Sequence, residues 1–252
     1  MNINEIAKLA GVSRATVSRY LNNGYVSEEK KKIIRKVIEE TGYQPSSQAQ
    51  MLRTKKTKLV GVILPKIDSN TISREVAGIS DILTKKGYQL ILANTNNNIE
   101  EELKYLSLFK DNQVDGVIFI ATILTKQHRD MLKEYKVPIV LLGQRLEGYP
   151  CIFQDDQKAA MTLTEQMVKT GSKFGYITVT DKDEAVGRKR MSGVEEILSK
   201  NKIEFGSEYV KCGDFTLESG YEKAGELFGE HPDIDTLICA TDTMAVGAGS
   251  WL

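Results

Sequence analysis

The sequence predicts a small all-helical head followed by an α/β body built on parallel sheets, and three observations carry that reading. Residues 1–44 hold apolar side chains at helical spacing, interrupted at Gly11, at Asn22-Asn23-Gly24 and at Gly42. From residue 59 onward, short apolar runs alternate with longer amphipathic stretches, as expected of strands buried on both faces between helices. The charge is also divided. Residues 1–58 carry 12 Lys and Arg against 5 Asp and Glu, and the rest carries 22 against 29. A formal net charge of +0 therefore hides a basic head on an acidic body, the layout of a polyanion-binding domain attached to something else.

The head reads as three helices. Ile3, Ile6, Ala7 and Ala10 form the apolar face of the first, which Gly11 stops. Ser13 is the N-cap of a second helix carrying Thr16, Val17, Tyr20 and Leu21. Ser27 is expected to cap a third, with Glu28 and Glu29 in the first turn, where the helix dipole favours acids. Ile33, Ile34, Val37 and Ile38 supply its buried face. After Pro45-Ser46-Ser47 comes Gln48 to Arg53, too short to be a stable helix alone.

In the body the expected strands are Leu59–Leu64, Tyr88–Ala93, Gly116–Ile120, Pro138–Leu142, Phe174–Val179 and Thr236–Cys239. Helical patterns cover Ser73–Lys86, Ile99–Asn112, Gln157–Thr170 and Val194–Asn201. Parallel sheets of this kind bind ligands beyond the carboxyl ends of their strands.

Composition removes several function classes. At 252 residues and 41% hydrophobic, the chain can bury a proper core and is not a disordered protein. Cys151, Cys212 and Cys239 are an odd number, far apart and without a CxxC, so buried free thiols in a reducing compartment are expected. No apolar run reaches membrane-span length and the N-terminus lacks signal-peptide features, which points to the cytoplasm and away from membranes. His128 and His231 are isolated and expected on the surface. There is no GxxxxGK[ST], GxSxG or HExxH, and adjacent Asp155 and Asp156 suit a helix start better than a catalytic pair. No catalytic residue, metal or cofactor is expected.

The segment from Ile3 to Asn22 is a helix-turn-helix. Ala7 is small where the helices cross, and Gly11 takes the left-handed turn. Val12 and Val17 fill the space between helices, and Ser13 caps the helix whose first turn faces the major groove. Arg14, Ala15, Thr16 and Arg19 then fall on or near the outward face. Arginine pairs with guanine O6 and N7, while Thr16 and Ser18 can donate to phosphates or read bases weakly. The expected partner is double-stranded operator DNA.

Ala10-Gly11-Val12-Ser13-x-x-Thr16-Val17-Ser18-Arg19-x-Leu21-Asn22 resembles the N-terminus of lactose/galactose-repressor family regulators. The likeness continues through Val26-Ser27, Gly42-Tyr43-x-Pro45, Ala49-x-x-Leu52, Gly61-Val62-Ile63 and Val114-Asp115-Gly116-Val117-Ile118. It extends to Val137-Pro138-Ile139-Val140, Arg190-x-x-Gly193 and the run from Ala240 to Ala248, and so spans essentially the whole chain. Leu141-Leu142-Gly143-Gln144 and Tyr20-Leu21-Asn22-Asn23-Gly24 are most similar to repressors of sucrose-type operons in low-GC Gram-positive bacteria.

The resemblance implies a head over 1–45 and a hinge helix and linker over 46–58. It implies a periplasmic-binding-protein-like body of two Rossmann-like subdomains, 59–152 and 153–252. Two subunits meet on DNA in this family, and a hinge leucine, here Leu52, wedges into the minor groove beside the basic Lys55 and Lys56. A small sugar or sugar-phosphate effector is implied in the body. Arg190 matches a ligand-contacting arginine, and Phe215 matches an aromatic position lining the sugar pocket or serves ordinary packing. Thr241 and Asp242 follow the strand Thr236–Cys239, and Asp242 either accepts sugar hydroxyls or caps a helix. Ser69 and Thr71 follow the first body strand. Many members have Asp at Gly143, so Gln144 is expected to take part of that polar role.

The family continues well past Gly247-Ala248. The resemblance therefore implies a C-terminal subdomain that is incomplete, with a tail, Gly249-Ser250-Trp251-Leu252, unlike the family's helix continuation. Two other readings remain beside a sugar-operon repressor. One is a carbon-catabolite regulator whose co-repressor is a phosphoprotein, and the other is a shortened, inactive repressor.

Overall fold

Three short helices pack around Ile6, Val17 and Ile34, all fully buried. They belong to the first of two compact units, Met1–Lys58 and Leu59–Leu252, in a computed structural model that describes residues 1–44, 55–111 and 114–252. Helix α1 (Ile3–Leu9) opens with a capping box that the sequence reading did not place. The Asn2 side chain accepts from the Asn4 and Glu5 amides, and the Glu5 carboxylate accepts from the Asn2 amide at 2.8 Å. Helix α2 (Arg14–Leu21) is capped by Ser13, whose hydroxyl accepts from the Thr16 amide at 3.2 Å. Between them Gly11 has φ +62°, the left-handed conformation that costs a side-chain-bearing residue about 1–2 kcal/mol. Helix α3 (Glu28–Thr41) corrects one expectation. Ser27 stands at the N-cap position, but its hydroxyl makes no capping bond. The turn is exposed, so its free amides reach water, and Glu28 and Glu29 supply the favourable charge.

The body begins with β1 (Leu59–Leu64), α4 (Asn70–Lys85), β2 (Gln89–Asn94), α5 (Ile99–Lys110), β3 (Gly116–Ile120), α6 (Lys126–Lys133), β4 (Ile139–Leu142) and β5 (Cys151–Ile152). The strands form one parallel sheet in the order β2-β1-β3-β4-β5, with Val62 opposite both Leu92 and Ile118. Phe109, Leu106, Phe119 and Leu141 lie in the core on one face. Val62, Leu64 and Ile120 pack under α4 on the other.

The second half follows with α7 (Asp156–Met167), β6 (Phe174–Thr178), a π-helical turn (Glu184–Lys189), α8 (Arg190–Lys200), β7 (Val210–Cys212), α9 (Leu217–Glu230), β8 (Thr236–Cys239) and α10 (Asp242–Trp251). Its sheet is parallel in the order β7-β6-β8. Tyr176, Phe174, Leu198 and Met244 form its core.

Four elements escaped the sequence reading for identifiable reasons. β5 and β7 span only two and three residues, too short for periodicity to register. α6 is dominated by polar side chains. In α9, Gly220, Gly225 and Gly229 dilute the helical signal. The tail also departs from expectation, because α10 continues through Gly249, Ser250 and Trp251, and the Trp251 ring stacks on Phe228 at 5.4 Å.

His128 is a further correction, being fully buried rather than on the surface. Its ring stacks on Phe119, its Nδ1 meets the Thr125 hydroxyl at 2.8 Å, and its Nε2 lies 3.1 Å from Glu102 Oε2, also buried. The polar sequence of α6 conceals an inward position, where the Phe119 ring and the Thr125 hydroxyl receive the imidazole. His231 is half-buried with its ring against Tyr209. Among the cysteines, Cys212 is exposed, whereas Cys151 and Cys239 are half-buried, and all three are free.

Candidate functional site

In the head, the outward face of α2 is built by the cap. With Ser13 fixing the first turn and Val17 anchored in the core, Arg14, Ala15 and Arg19 are exposed, and Thr16 and Ser18 are half-buried. The Thr16 hydroxyl is already engaged, 2.9 Å from the Ser13 hydroxyl. Arg19 Nε donates to the Ala15 carbonyl at 3.4 Å, a weak bond that leaves the guanidinium available. Tyr25, passed over by the sequence reading, is 89% exposed in the turn between α2 and α3, where its phenol can donate to a phosphate. An exposed ring just after an Asn-Asn-Gly stop was the available signal. Lys55 is exposed with φ +54°. Leu52 and the hinge segment lie outside the described residues.

In the body the expected effector residues lie in segments that follow strand carboxyl ends, where parallel sheets bind ligands, except Arg190, which starts α8 after the π turn. Ser69 and Thr71 follow β1. Ser69 is half-buried and caps α4 with its hydroxyl, and Thr71 is exposed in the first turn. Phe215 follows β7 and lines a cavity of about 470 Å³ together with Thr180, Asp214, Thr216, Glu218 and Glu222. Thr241 and Asp242 follow β8. The helix is capped by Thr241, whose hydroxyl accepts from the Met244 amide at 3.3 Å; Asp242 is exposed and accepts from the Thr243 amide.

Arg190 is held from two sides. Its Nε and Nη2 contact Asp156 Oδ1 at 2.8 and 2.7 Å, and its Nη1 donates to the Ala240 carbonyl at 2.6 Å. Of the five guanidinium N–H donors, those contacts leave some free for a ligand. Asp156 is thus buried by the arginine, while its neighbour Asp155 caps α7 by accepting from the Lys158 amide at 3.1 Å.

Gln144 follows β4 and reaches into the second half. It is 5% exposed, and its Nε2 donates to Asp183 Oδ1 at 2.8 Å. Asp183, itself 3% exposed, also accepts from the Ala185 and Val186 amides and so starts the π turn. Burial pushes its carboxyl above the usual aspartate value, against the opposing pull of those donors. The turn closes tightly, since a Cβ at Gly187 would sit 2.0 Å from the Thr180 carbonyl oxygen. No sequence signal marked Asp183, because a buried capping Asp looks like any loop Asp until its partners are placed. π turns inside helices often occur at functional sites, and this one delivers Lys189 and Arg190. The Phe153 ring, also passed over, has Arg145 and Lys189 within 6 Å of its centroid.

Among the described residues no three His, Cys, Asp or Glu side chains converge as metal ligands would, and no helix is long and apolar enough to cross a membrane. The comparisons agree with this architecture. Residues 2–46 match the family described as bacterial regulatory proteins, lacI family. Residues 57–252 match periplasmic binding proteins and sugar binding domain of LacI family. The chain is 33% identical to the sucrose operon repressor of Staphylococcus xylosus over 97% of its own length and 76% of that protein's. It is 34% identical to catabolite control protein A of Priestia megaterium over 98% of its length and 76% of that protein's. Its fold matches the crystal structure of the lac repressor dimer bound to operator and an anti-inducer, with TM-score 0.89 at 21% identity, covering 100% of this chain and 77% of that one. Head, body and likeness together place the chain in the LacI family of bacterial regulatory proteins, as a transcriptional regulator and not an enzyme.

Proposed function

We propose that the chain represses a sugar-utilisation operon, of sucrose type, by binding operator DNA as a homodimer and releasing it when a small sugar or sugar phosphate enters the body. What supports this is the match of residues 57–252 to a sugar-binding family, with Ser69, Thr71, Gln144, Phe215, Thr241 and Asp242 in the segments that follow strand carboxyl ends and Arg190 at the start of α8. The working division is a head over 1–45, a hinge over 46–58, and effector subdomains over 59–152 and 153–252. Arg14, Ala15 and Arg19 read bases. Ser13, Thr16, Ser18, Tyr25 and Lys55 position the protein on the backbone, and Leu52 wedges into the minor groove. Acting on DNA, the protein works in the cytoplasm.

Likeness to catabolite control protein A at 34% favours a second reading, a catabolite regulator whose co-repressor is a phosphoprotein. Calorimetry with a panel of hexoses, disaccharides and their phosphates separates the two. Sugar binding that weakens operator affinity supports the first. A chain that ignores every sugar and tightens on DNA only with a phosphoprotein contradicts it.

A further inference from the structure

We propose that Arg145 and Lys189 form an anion subsite where the two halves of the body meet, and that the effector carries a phosphate group. This rests on the reading of the body as an effector-binding unit and narrows "sugar or sugar phosphate" to the latter. Phe153 lies where the chain passes from β5 to α7, and its ring is 43% exposed. Arg145, from the first half, stands 5.9 Å from the ring centroid. Lys189, from the last position of the π turn in the second half, stands 5.8 Å from it. Two cations from opposite halves therefore share one aromatic ring.

Neither cation meets a carboxylate at ion-pair distance among the described residues, although their neighbours do. Arg188 pairs with Glu184 at 2.9 Å and Arg190 with Asp156 at 2.7 Å. Residues 59–252 hold more acids than bases, so a shortage of carboxylates does not explain the difference. A ring face attracts a cation without neutralising it. A phosphate neutralises both, with the arginine fork on two of its oxygens and the lysine as a point charge. Both side chains are long enough to leave the ring for it. The place is also mechanically apt, because Arg145 directly follows Gln144, whose buried bond to Asp183 already ties the halves. An anion held from both sides favours the geometry that brings the halves together, which is the differential affinity that effector control needs. The cavity beside Phe215 carries Asp214, Glu218 and Glu222 against one cation, Lys223, itself paired with Glu226 at 2.6 Å, and so suits sugar hydroxyls rather than the phosphate.

The test uses the full chain and inorganic phosphate as the probe, by calorimetry, with glucose and glucose 6-phosphate as a matched second pair. Wild type should bind phosphate, and Arg145→Ala/Lys189→Ala should lose about tenfold or more in affinity, the loss expected of removing two charged contacts. Arg145→Lys/Lys189→Arg should keep most of it, and Lys169→Ala, elsewhere on the surface, should change nothing. An unchanged thermal midpoint in each variant confirms folding. Phosphate binding that is absent in wild type, or equal in the alanine double variant, overturns the subsite. A neutral sugar that releases operator DNA as well as its phosphate does overturns the phosphate requirement while leaving the effector reading intact. Phosphate binding lost with the two cations, but no sugar or sugar phosphate altering operator affinity, keeps the subsite and removes the effector reading.

Discussion

Single side chains carry the sharpest expectations. Arg19 faces outward from α2 with only a weak bond to Ala15, so Arg19→Ala should relax base preference as well as weaken binding, by about 1–3 kcal/mol at the base it reads. Lys55→Ala should weaken binding evenly across sequences and reduce its salt dependence, as loss of a phosphate contact does. Anisotropy titrations on specific and scrambled DNA at several salt concentrations check both, and identical behaviour of the two variants would refute the division of roles. His128→Ala would leave a cavity against the Phe119 ring and remove the contact with the Thr125 hydroxyl, a loss on the order of 2 kcal/mol readable by urea unfolding. Asp235 gives a pH test. The Ser172 hydroxyl and amide, the Thr236 hydroxyl and the Lys173 amide hold its carboxyl well below the usual aspartate value. A depressed folded-state pKa contributes stability that is present above the unfolded value, 3.8, and lost as pH falls below it. Asp235→Asn should therefore lower the thermal midpoint at neutral pH, and the gap to wild type should shrink in acid. A gap that is constant with pH would contradict this. The exposed position of Arg19 on α2 was legible in the sequence because the helix-turn-helix motif fixes it. His128, Asp156 and Asp183 were not, because what buries each is a partner from another element, 26 to 39 residues away.

Elements were legible in proportion to their length and the regularity of their pattern. The helix-turn-helix announced itself through Gly11, Ser13 and the two valines, and β1, β3 and β8 came out with their bounds intact. Short β5 and β7, and glycine-diluted α9, did not. The π turn was illegible in principle, since it arises where Asp183 starts the turn and Gly187 closes it against the Thr180 carbonyl. At this scale the clearest test is the cap of α2. Ser13→Ala removes the bond to the Thr16 amide and should cost the head about 1 kcal/mol of stability. It should also loosen DNA binding, because the capped turn is the one presented to the groove. Thermal unfolding with operator anisotropy checks it, and a variant with unchanged stability would show that the cap contributes nothing.

Across the whole molecule, control requires that the effector prefer one geometry of the body, and that this geometry differ in its grip on DNA. The buried Gln144–Asp183 bond and the Arg190–Asp156 pair belong to the proposed effector site. Arg190→Lys, which keeps a positive charge beside buried Asp156 but loses the guanidinium fork, should weaken the response to effector while leaving operator affinity and the thermal midpoint near normal. The most direct measurement is selection of preferred sites from a random DNA pool by the full chain, followed by titration of a sugar and sugar-phosphate panel against the selected site. The account predicts enrichment of a two-fold symmetric sequence, matching a symmetric dimer, and its release by at least one ligand of the panel. A pool that stays random after selection, with affinity governed by salt alone, would contradict it.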